Sequence, residues 1–262
     1  MNRPLLELIF LSEKRTELLL LLKPGPKKVE ELMNTLELNQ VAILPHIKKL
    51  KDKKLLIREG ELCSLSPLGK AVVGRMEALI LTIRLFSKNP VYWKSHLIEA
   101  IPAKLLEKIQ ELEPCSFSKT LDNVQFFEPI EEIKTELDNS QSIKGLAPVF
   151  HPLYPDMFLD FAEKGAKVSL IVTAAIFERL KSEYFLQLEK FIKLKNTRFY
   201  VCEQEIKLAA IQTERFLALS LFFSNGSFDH RNKVLSSGPE GLKWGTKLFE
   251  YFCSFSEEIT KI

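Results

Sequence analysis

Residues 29–70 read VEELMNTLELNQVAILPHIKKLKDKKLLIREGELCSLSPLGK, and the order of signals in this stretch decides the first part of the fold. A compact helix is predicted over Lys27–Leu36, because Val29, Leu32, Met33 and Leu36 recur at spacings of three and four. Glu37-Leu38-Asn39 reads as a turn, and Asn39 is a residue type that caps the helix following it, Gln40–Lys53. Leu55–Arg58 and Leu62–Leu65 alternate like short strands around Glu59-Gly60-Glu61, which predicts a hairpin. Ser66-Pro67 pairs a capping residue with a proline at the first helical position. Helix, turn, helix, hairpin, helix is the order of a winged helix-turn-helix.

The second helix carries the chemistry of that motif. Ile43, Ile47 and Leu50 repeat at i, i+4 and i+7 and are expected to face the core. Gln40, Ala42, Leu44, Pro45, His46, Lys48, Lys49 and Lys51 are left for the sides and outer face. In a helix-turn-helix the start of this helix enters the major groove of double-stranded DNA. Asn39 and Gln40 stand at that start, and Gln40 has the right groups for a base edge. Leu44 and Pro45 suit thymine methyls or the sugar wall, and Pro45 removes a backbone donor inside the helix. Lys48, Lys49, Lys51, Lys53 and Lys54 are phosphate contacts, a source of affinity rather than of sequence reading. Arg58 is the wing's candidate for a backbone or minor-groove contact, while the two glutamates at the tip argue against deep insertion.

Charge supports the same placement. Residues 1–86 carry 15 Lys/Arg against 10 Asp/Glu, whereas residues 87–262 carry 22 against 24. A polyanion-binding surface therefore belongs to the first third. A solvated lysine face has the same composition, so charge alone does not decide.

The 46 % hydrophobic content is that of a globular protein with a real core. The longest apolar runs, Leu18–Leu22 and Phe216–Phe223, are too short to cross a bilayer. The N-terminal MNRPLLELIFLSEKR is interrupted by Glu7 and lacks a small-residue cleavage site, so a secretory signal is not expected. Cys63, Cys115, Cys202 and Cys253 are scattered, without metal-ligand spacing or a disulfide framework, as in a reducing cytoplasm. No metal or cofactor is expected.

Along the chain, Lys23-Pro24-Gly25-Pro26 stops the helix behind Ser12. The helix opened by Pro67 carries a long apolar stripe through Leu68, Val72, Met76, Leu79, Ile80, Ile83 and Phe86. A dimer contact and packing on a second domain both fit it. Asn89-Pro90 marks a linker, dividing the chain into 1–86 and 87–262. Ile101–Leu112 and Glu128–Leu137 read as helices, and Cys115–Lys119 as a strand. Strands at Ile143–Val149, Lys167–Thr173 and Thr197–Cys202 then alternate with helices at Pro155–Lys164 and Ala174–Leu194. Ile206–Gln212 and Leu217–Phe223 are close enough to pair antiparallel, and Glu240–Glu258 is a final helix. The alternation predicts an α+β or α/β domain, its mainly parallel sheet covered by helices and carrying an antiparallel part at one side.

No phosphate-binding glycine loop, HExxH or Gly-x-Ser-x-Gly appears, so catalysis is not expected. Loops after parallel strands are where such domains bind ligands. Phe150, His151, Tyr154 and Asp156, after the first of these strands, and Thr173, after the next, are the candidate ligand contacts.

Several stretches carry a resemblance: AILPHIKKL (Ala42–Leu50), SLSPLGK (Ser64–Lys70), IKGLAPVFHPLYPDMFLDFAEKGAKVSLIVT (Ile143–Thr173), LALSLFFSNGSFD (Leu217–Asp229) and LKWGTKLFEYF (Leu242–Phe252). They resemble the archaeal winged helix-turn-helix regulators of the methanogenesis-regulatory-protein family, over nearly the whole chain. The resemblance implies a cytoplasmic, dimeric transcription regulator whose second, effector domain is a non-catalytic relative of the phospholipase D-like fold. It supplies no ligand. An enzyme of phosphodiester or nucleotide chemistry with an appended winged helix, and a protein–protein adaptor, are the alternatives.

Overall fold

The computed structural model describes residues 3–119 and 131–262. The chain divides into two compact units, Met1–Ile83 and Arg84–Ile262.

In the first unit α1 (Arg3–Phe10) and α2 (Glu13–Leu21) precede β1 (Lys27–Lys28), α3 (Val29–Leu36), α4 (Gln40–Asp52), β2 (Leu56–Glu59) and β3 (Leu62–Leu65). Helix α5 (Pro67–Lys88) begins in this unit and ends in the second. The sheet order is β1-β3-β2, all antiparallel. This is a winged helix-turn-helix. Leu18, Leu32, Ile43, Ile47, Leu50 and Leu55 are fully buried together at its centre. The expected helix over Lys27–Leu36 starts two residues late. Lys27 and Lys28 instead pair with Cys63 and Leu62, because the chain leaves Pro24-Gly25-Pro26 extended and the Val29 N–H is taken by Glu61 O at 2.8 Å. Ser66 opens α5 as expected: its hydroxyl accepts the Gly69 N–H at 2.9 Å.

The second unit is a sheet covered on both faces. Its elements are α6 (Pro90–Ser95), α7 (Ala103–Leu106), β4 (Cys115–Lys119), α8 (Glu131–Asp138), β5 (Ser142–Ala147), α9 (Tyr154–Glu163), β6 (Lys167–Thr173), α10 (Ala174–Glu183), α11 (Phe185–Lys193), β7 (Thr197–Cys202), β8 (Leu208–Gln212), β9 (Leu217–Leu221), β10 (Asn232–Ser236), α12 (Pro239–Cys253) and β11 (Ser256–Glu258). The expected start of α8 near Pro129 lies outside the described residues. The eight-stranded order is β11-β7-β6-β5-β8-β9-β10-β4.

The expected antiparallel part is present, and the balance is what needs correcting, since that part is the larger share. The sheet is mixed: β5–β6 and β6–β7 are parallel, and the other five ladders among the described residues are antiparallel. Helical crossovers make the parallel part. The consecutive strands β8, β9 and β10 are joined without a helix and reverse direction at each link, whereas β5–β8, β4–β10 and β7–β11 pair antiparallel across distant stretches of chain. The β8–β9 link is Thr213–Phe216, whose Thr213 hydroxyl accepts the N–H groups of Arg215 and Phe216.

One sheet face packs Leu146, Ile171, Leu208 and Leu219 against Trp93, Trp244 and Leu248. The other packs Ile143, Val168 and Phe199 against Phe158, Ile176 and Phe191. Three further expectations shift. The supposed linker is absent, because α5 runs to Lys88 and Asn89 at once caps α6 by accepting the Tyr92 N–H at 3.1 Å. Ile101–Leu112 is a short helix and a 3-10 turn rather than one helix. The last predicted helix ends at Cys253, and the residues after it add β11 to the edge strand β7.

Candidate nucleic-acid interface and a cleft in the second unit

Helix α4 presents its lysines as a free cationic face. Asn39 Oδ1 accepts the Ala42 N–H at 2.9 Å, so its carbonyl oxygen serves the helix start. Ile43, Ile47 and Leu50 are buried, and Gln40, Pro45, Lys48, Lys49, Lys51, Lys53 and Lys54 are exposed. The ion pairs of the first unit among the described residues are Lys14–Glu17, Lys23–Glu77, Lys27–Glu31 and Arg58–Glu61, and none uses these five lysines. His46 is half-buried, and burial, then Arg15 and Lys49, push its pKa below the ordinary value. Its neighbourhood is therefore cationic.

Three placements differ from the sequence reading. Leu44 is half-buried against the core and is not on the outer face. Arg58 turns onto its own wing, donating from Nε to Gly60 O at 2.8 Å and from Nη2 to Glu61 Oε1 at 3.1 Å. Val41, omitted from the sequence reading, is 82 % exposed. It stands one turn before Pro45 and two before Lys48, so the outward stripe is Val41, Pro45, Lys48. The signal was available: Val41 lies opposite Ile43, Ile47 and Leu50 on the helix.

In the second unit, Phe150, His151 and Tyr154 come together. The His151 and Tyr154 rings stack at 4.5 Å, and Arg179 lies 3.9 Å over the Phe150 ring. His151 Nδ1 accepts the Leu153 N–H at 3.2 Å. Burial raises the Tyr154 pKa, so it stays a neutral phenol. These three residues line two neighbouring cavities, one of about 120 Å³ and one of about 50 Å³. Asp156 and Thr173 line neither cavity. Asp156 accepts from Gln187 Nε2 at 3.1 Å, and the Thr173 hydroxyl caps α10 by accepting the Ile176 N–H.

The larger cavity also has Ser220, His230 and Lys233 in its wall. Sequence reading missed all three, because β10 was not recognised and Asp229-His230-Arg231 reads as an ordinary polar loop. Among the described residues no group of His, Cys, Asp and Glu could hold a metal. The four cysteines are unpaired, and burial, then Glu113, pushes the Cys115 thiol up to about 11.

Comparison with known proteins matches both units. Residues 4–84 match the family model described as methanogenesis regulatory protein FilR1, N-terminal domain, and residues 126–254 match the model for its middle domain. Methanogenesis regulatory protein FilR1 of Methanothrix harundinacea (strain 6Ac) is 27 % identical over 252 residues, covering 95 % of this chain and 56 % of that protein. The chain thus spans about half the length of that relative. Among solved structures, the archaeal chromatin protein TrmBL2 is 13 % identical with a TM-score of 0.43, over 94 % of both chains. Nuc of Salmonella typhimurium, a phospholipase D family member, is 8 % identical with a TM-score of 0.42, over 56 % of this chain and 98 % of that one.

Proposed function

Because this chain belongs to the methanogenesis regulatory protein FilR1 family, with both the N-terminal and the middle domain, we propose that it is a sequence-specific DNA-binding transcription regulator. The observation that carries the reading is the exposed set Lys48, Lys49 and Lys51 of α4 with Lys53 and Lys54 just after it, which enter no ion pair among those of the first unit. Lysines left unpaired beside a helix-turn-helix are available for phosphates, and phosphate contacts fix the register in which the helix start reads bases. Gln40, Val41 and Pro45 do the reading, through one amide and two apolar contacts. Asn39 and Arg58 act by holding the helix start and the wing tip.

The second unit binds a small-molecule effector in the cavities at Phe150, His151 and Tyr154 and is not catalytic. The protein works in the cytoplasm as a homodimer, with exposed Leu79 and Ile83 of α5 as the apolar surface offered. Selection of duplexes from random or genomic DNA, followed by anisotropy titration of the enriched sequence, tests the central reading. Failure to enrich any duplex over bulk DNA would overturn it.

A further inference from the structure

We propose that the cleft of the second unit takes a small amphipathic organic anion, with its charged head at Lys233 and Ser220 and its apolar tail beyond Tyr154 and Phe158. The proposal rests on the reading that this unit binds an effector, and it names the chemical class.

The head site is built across three strands. Ser220 on β9 pairs with Ala209 on β8. Leu219 pairs with Val234, which puts Lys233 on β10 beside Ser220 on the other side. Cross-strand neighbours hold their Cβ atoms about 4.5–5.5 Å apart. Ala209, Ser220 and Lys233 all line the cavity. The small residues Gly145, Ala147 and Ala218 also line this cavity.

Two donors in this hollow are short of acceptors. Lys233 Nζ donates to His230 O at 3.2 Å, and among the described residues no carboxylate lies within ion-pair distance of it. Burial pushes its pKa below the ordinary value, against an upward pull from Asp229. Ser220 is 4 % exposed, and its hydroxyl makes no hydrogen bond among the described residues. Lys233 is half-buried and its bond to His230 O is open to solvent, so both polar groups face the cavity rather than the packed core. An ammonium with no carboxylate and a hydroxyl with no acceptor among the described residues, side by side in a cavity wall, suit an anionic oxygen. One cation matches one negative charge, which favours a carboxylate over a doubly charged phosphate.

The tail follows from the second cavity. Ala147, Phe150, His151, Tyr154 and Phe158 line both cavities, so the two share a wall. Beyond that wall the smaller cavity continues between Ile176, Leu180, Leu188 and Phe191. Its surface is almost wholly apolar, which suits a hydrocarbon segment.

The test is calorimetric titration of the full chain with hexanoate, hexyl phosphate, 1-hexanol and hexylamine, each repeated on Lys233→Met and Ser220→Ala. Hexanoate or hexyl phosphate is expected to bind at least tenfold more tightly than hexanol, and hexylamine more weakly still. Whichever anion binds more tightly identifies the head. Lys233→Met should lose at least tenfold in anion affinity with hexanol unchanged, and Ser220→Ala about threefold. Equal binding of hexanol and both anions, preference for the amine, no binding of any of the four, or anion binding unaltered in both variants would each overturn the proposal. If Lys233→Met fails to melt cooperatively, Ser220→Ala carries the test. Duplex affinity is measured without any anion, so loss of DNA binding sinks the regulator reading and leaves the anion site standing. Failure of the titrations sinks the site and leaves DNA binding standing.

Discussion

His96 Nε2 lies 2.9 Å from Asp229 Oδ2, and both side chains are buried, 2 % exposed each. His96 Nδ1 is in turn 2.6 Å from Tyr92 O at the start of α6. Asp229 Oδ1 accepts the N–H groups of Arg231 and Asn232 at 2.8 and 3.1 Å, and Oδ2 accepts from Asn232 Nδ2 at 2.7 Å. The pair thus fastens α6 to the segment that carries Phe228, His230 and Lys233 into the cleft.

Burial alone would raise the Asp229 pKa, but the hydrogen bonds from Asn232, Arg231 N–H and His96 outweigh it and hold the carboxyl below its ordinary 3.8. A depressed carboxyl stabilises the fold above its unfolded pKa, and that stability is lost as pH falls through the folded value. Asp229→Ala should cost about 3–5 kcal/mol at pH 7, since it leaves His96 buried without its partner. The gap to wild type in urea denaturation should narrow below pH ~4. An unchanged gap there would remove Asp229 from the acid response.

Replacing Lys48 and Lys49 together with Ala should weaken duplex binding for all sequences alike. The slope of log affinity against log salt should become shallower by about 0.9 for each phosphate no longer neutralised. Anisotropy titrations over a range of salt concentrations measure it. An unchanged slope would mean these lysines do not touch phosphate.

Lys54 occupies a left-handed conformation, φ 57°, just after α4. A side chain there costs about 1 kcal/mol that glycine avoids. Lys54→Gly should therefore stabilise the first unit by up to about 1 kcal/mol while weakening DNA binding. Thermal melting and duplex titration of the same variant separate the two effects.

Two glycines of α5 should respond oppositely to alanine. A Cβ on Gly69 would sit 2.0 Å from Leu55 O, where α5 passes against the chain entering the wing. A Cβ on Gly74 would meet nothing within 4 Å. Gly69→Ala should cost about 1–3 kcal/mol by overpacking, and Gly74→Ala should gain about 0.5–1 kcal/mol. Chemical denaturation of both variants reads this directly.

Lys233→Met should make the ligand-free protein slightly more stable at neutral pH, because it removes a partly desolvated charge that no carboxylate pairs among the described residues. The sign follows from the lowered lysine pKa: the penalty is present below the folded value and disappears as pH approaches 10.5. Melting at neutral pH and again close to the ordinary lysine pKa should show the advantage shrinking. A destabilised variant at both would mean that the ammonium is satisfied where it stands.

Much of the first unit was legible because its signals are local. Asn39 caps α4, Pro67 opens α5, Gly60 turns the wing at φ 59°, and Ile43, Ile47 and Leu50 face inward, each for reasons held within a few residues. Leu44 and Arg58 have neighbours that the local pattern does not show. Leu44 flanks the apolar stripe and is drawn against a core assembled from other helices. Arg58 found acceptors at its own tip, and those compete with any phosphate. In the cleft, Phe150, His151 and Tyr154 were legible as a loop after a strand, whereas Ser220 and Lys233 meet only once β9 and β10 pair.

The sequence by itself determined the winged helix-turn-helix, the cationic α4 and the alternation of strands and helices that follows. Periodicity, capping and turn chemistry act over three or four residues and need no distant partner. The tertiary structure alone decided the order of the eight strands, the place of β4 at one edge and the addition of β11 at the other. Strand pairing joins Ser116 to Leu235 and Ser256 to Cys202 across long stretches of chain. It answers to whichever sheet edge is left open, and no local pattern records that. The same pairing set Lys233 beside Ser220 in the wall of one cavity, although the two stand apart in the sequence.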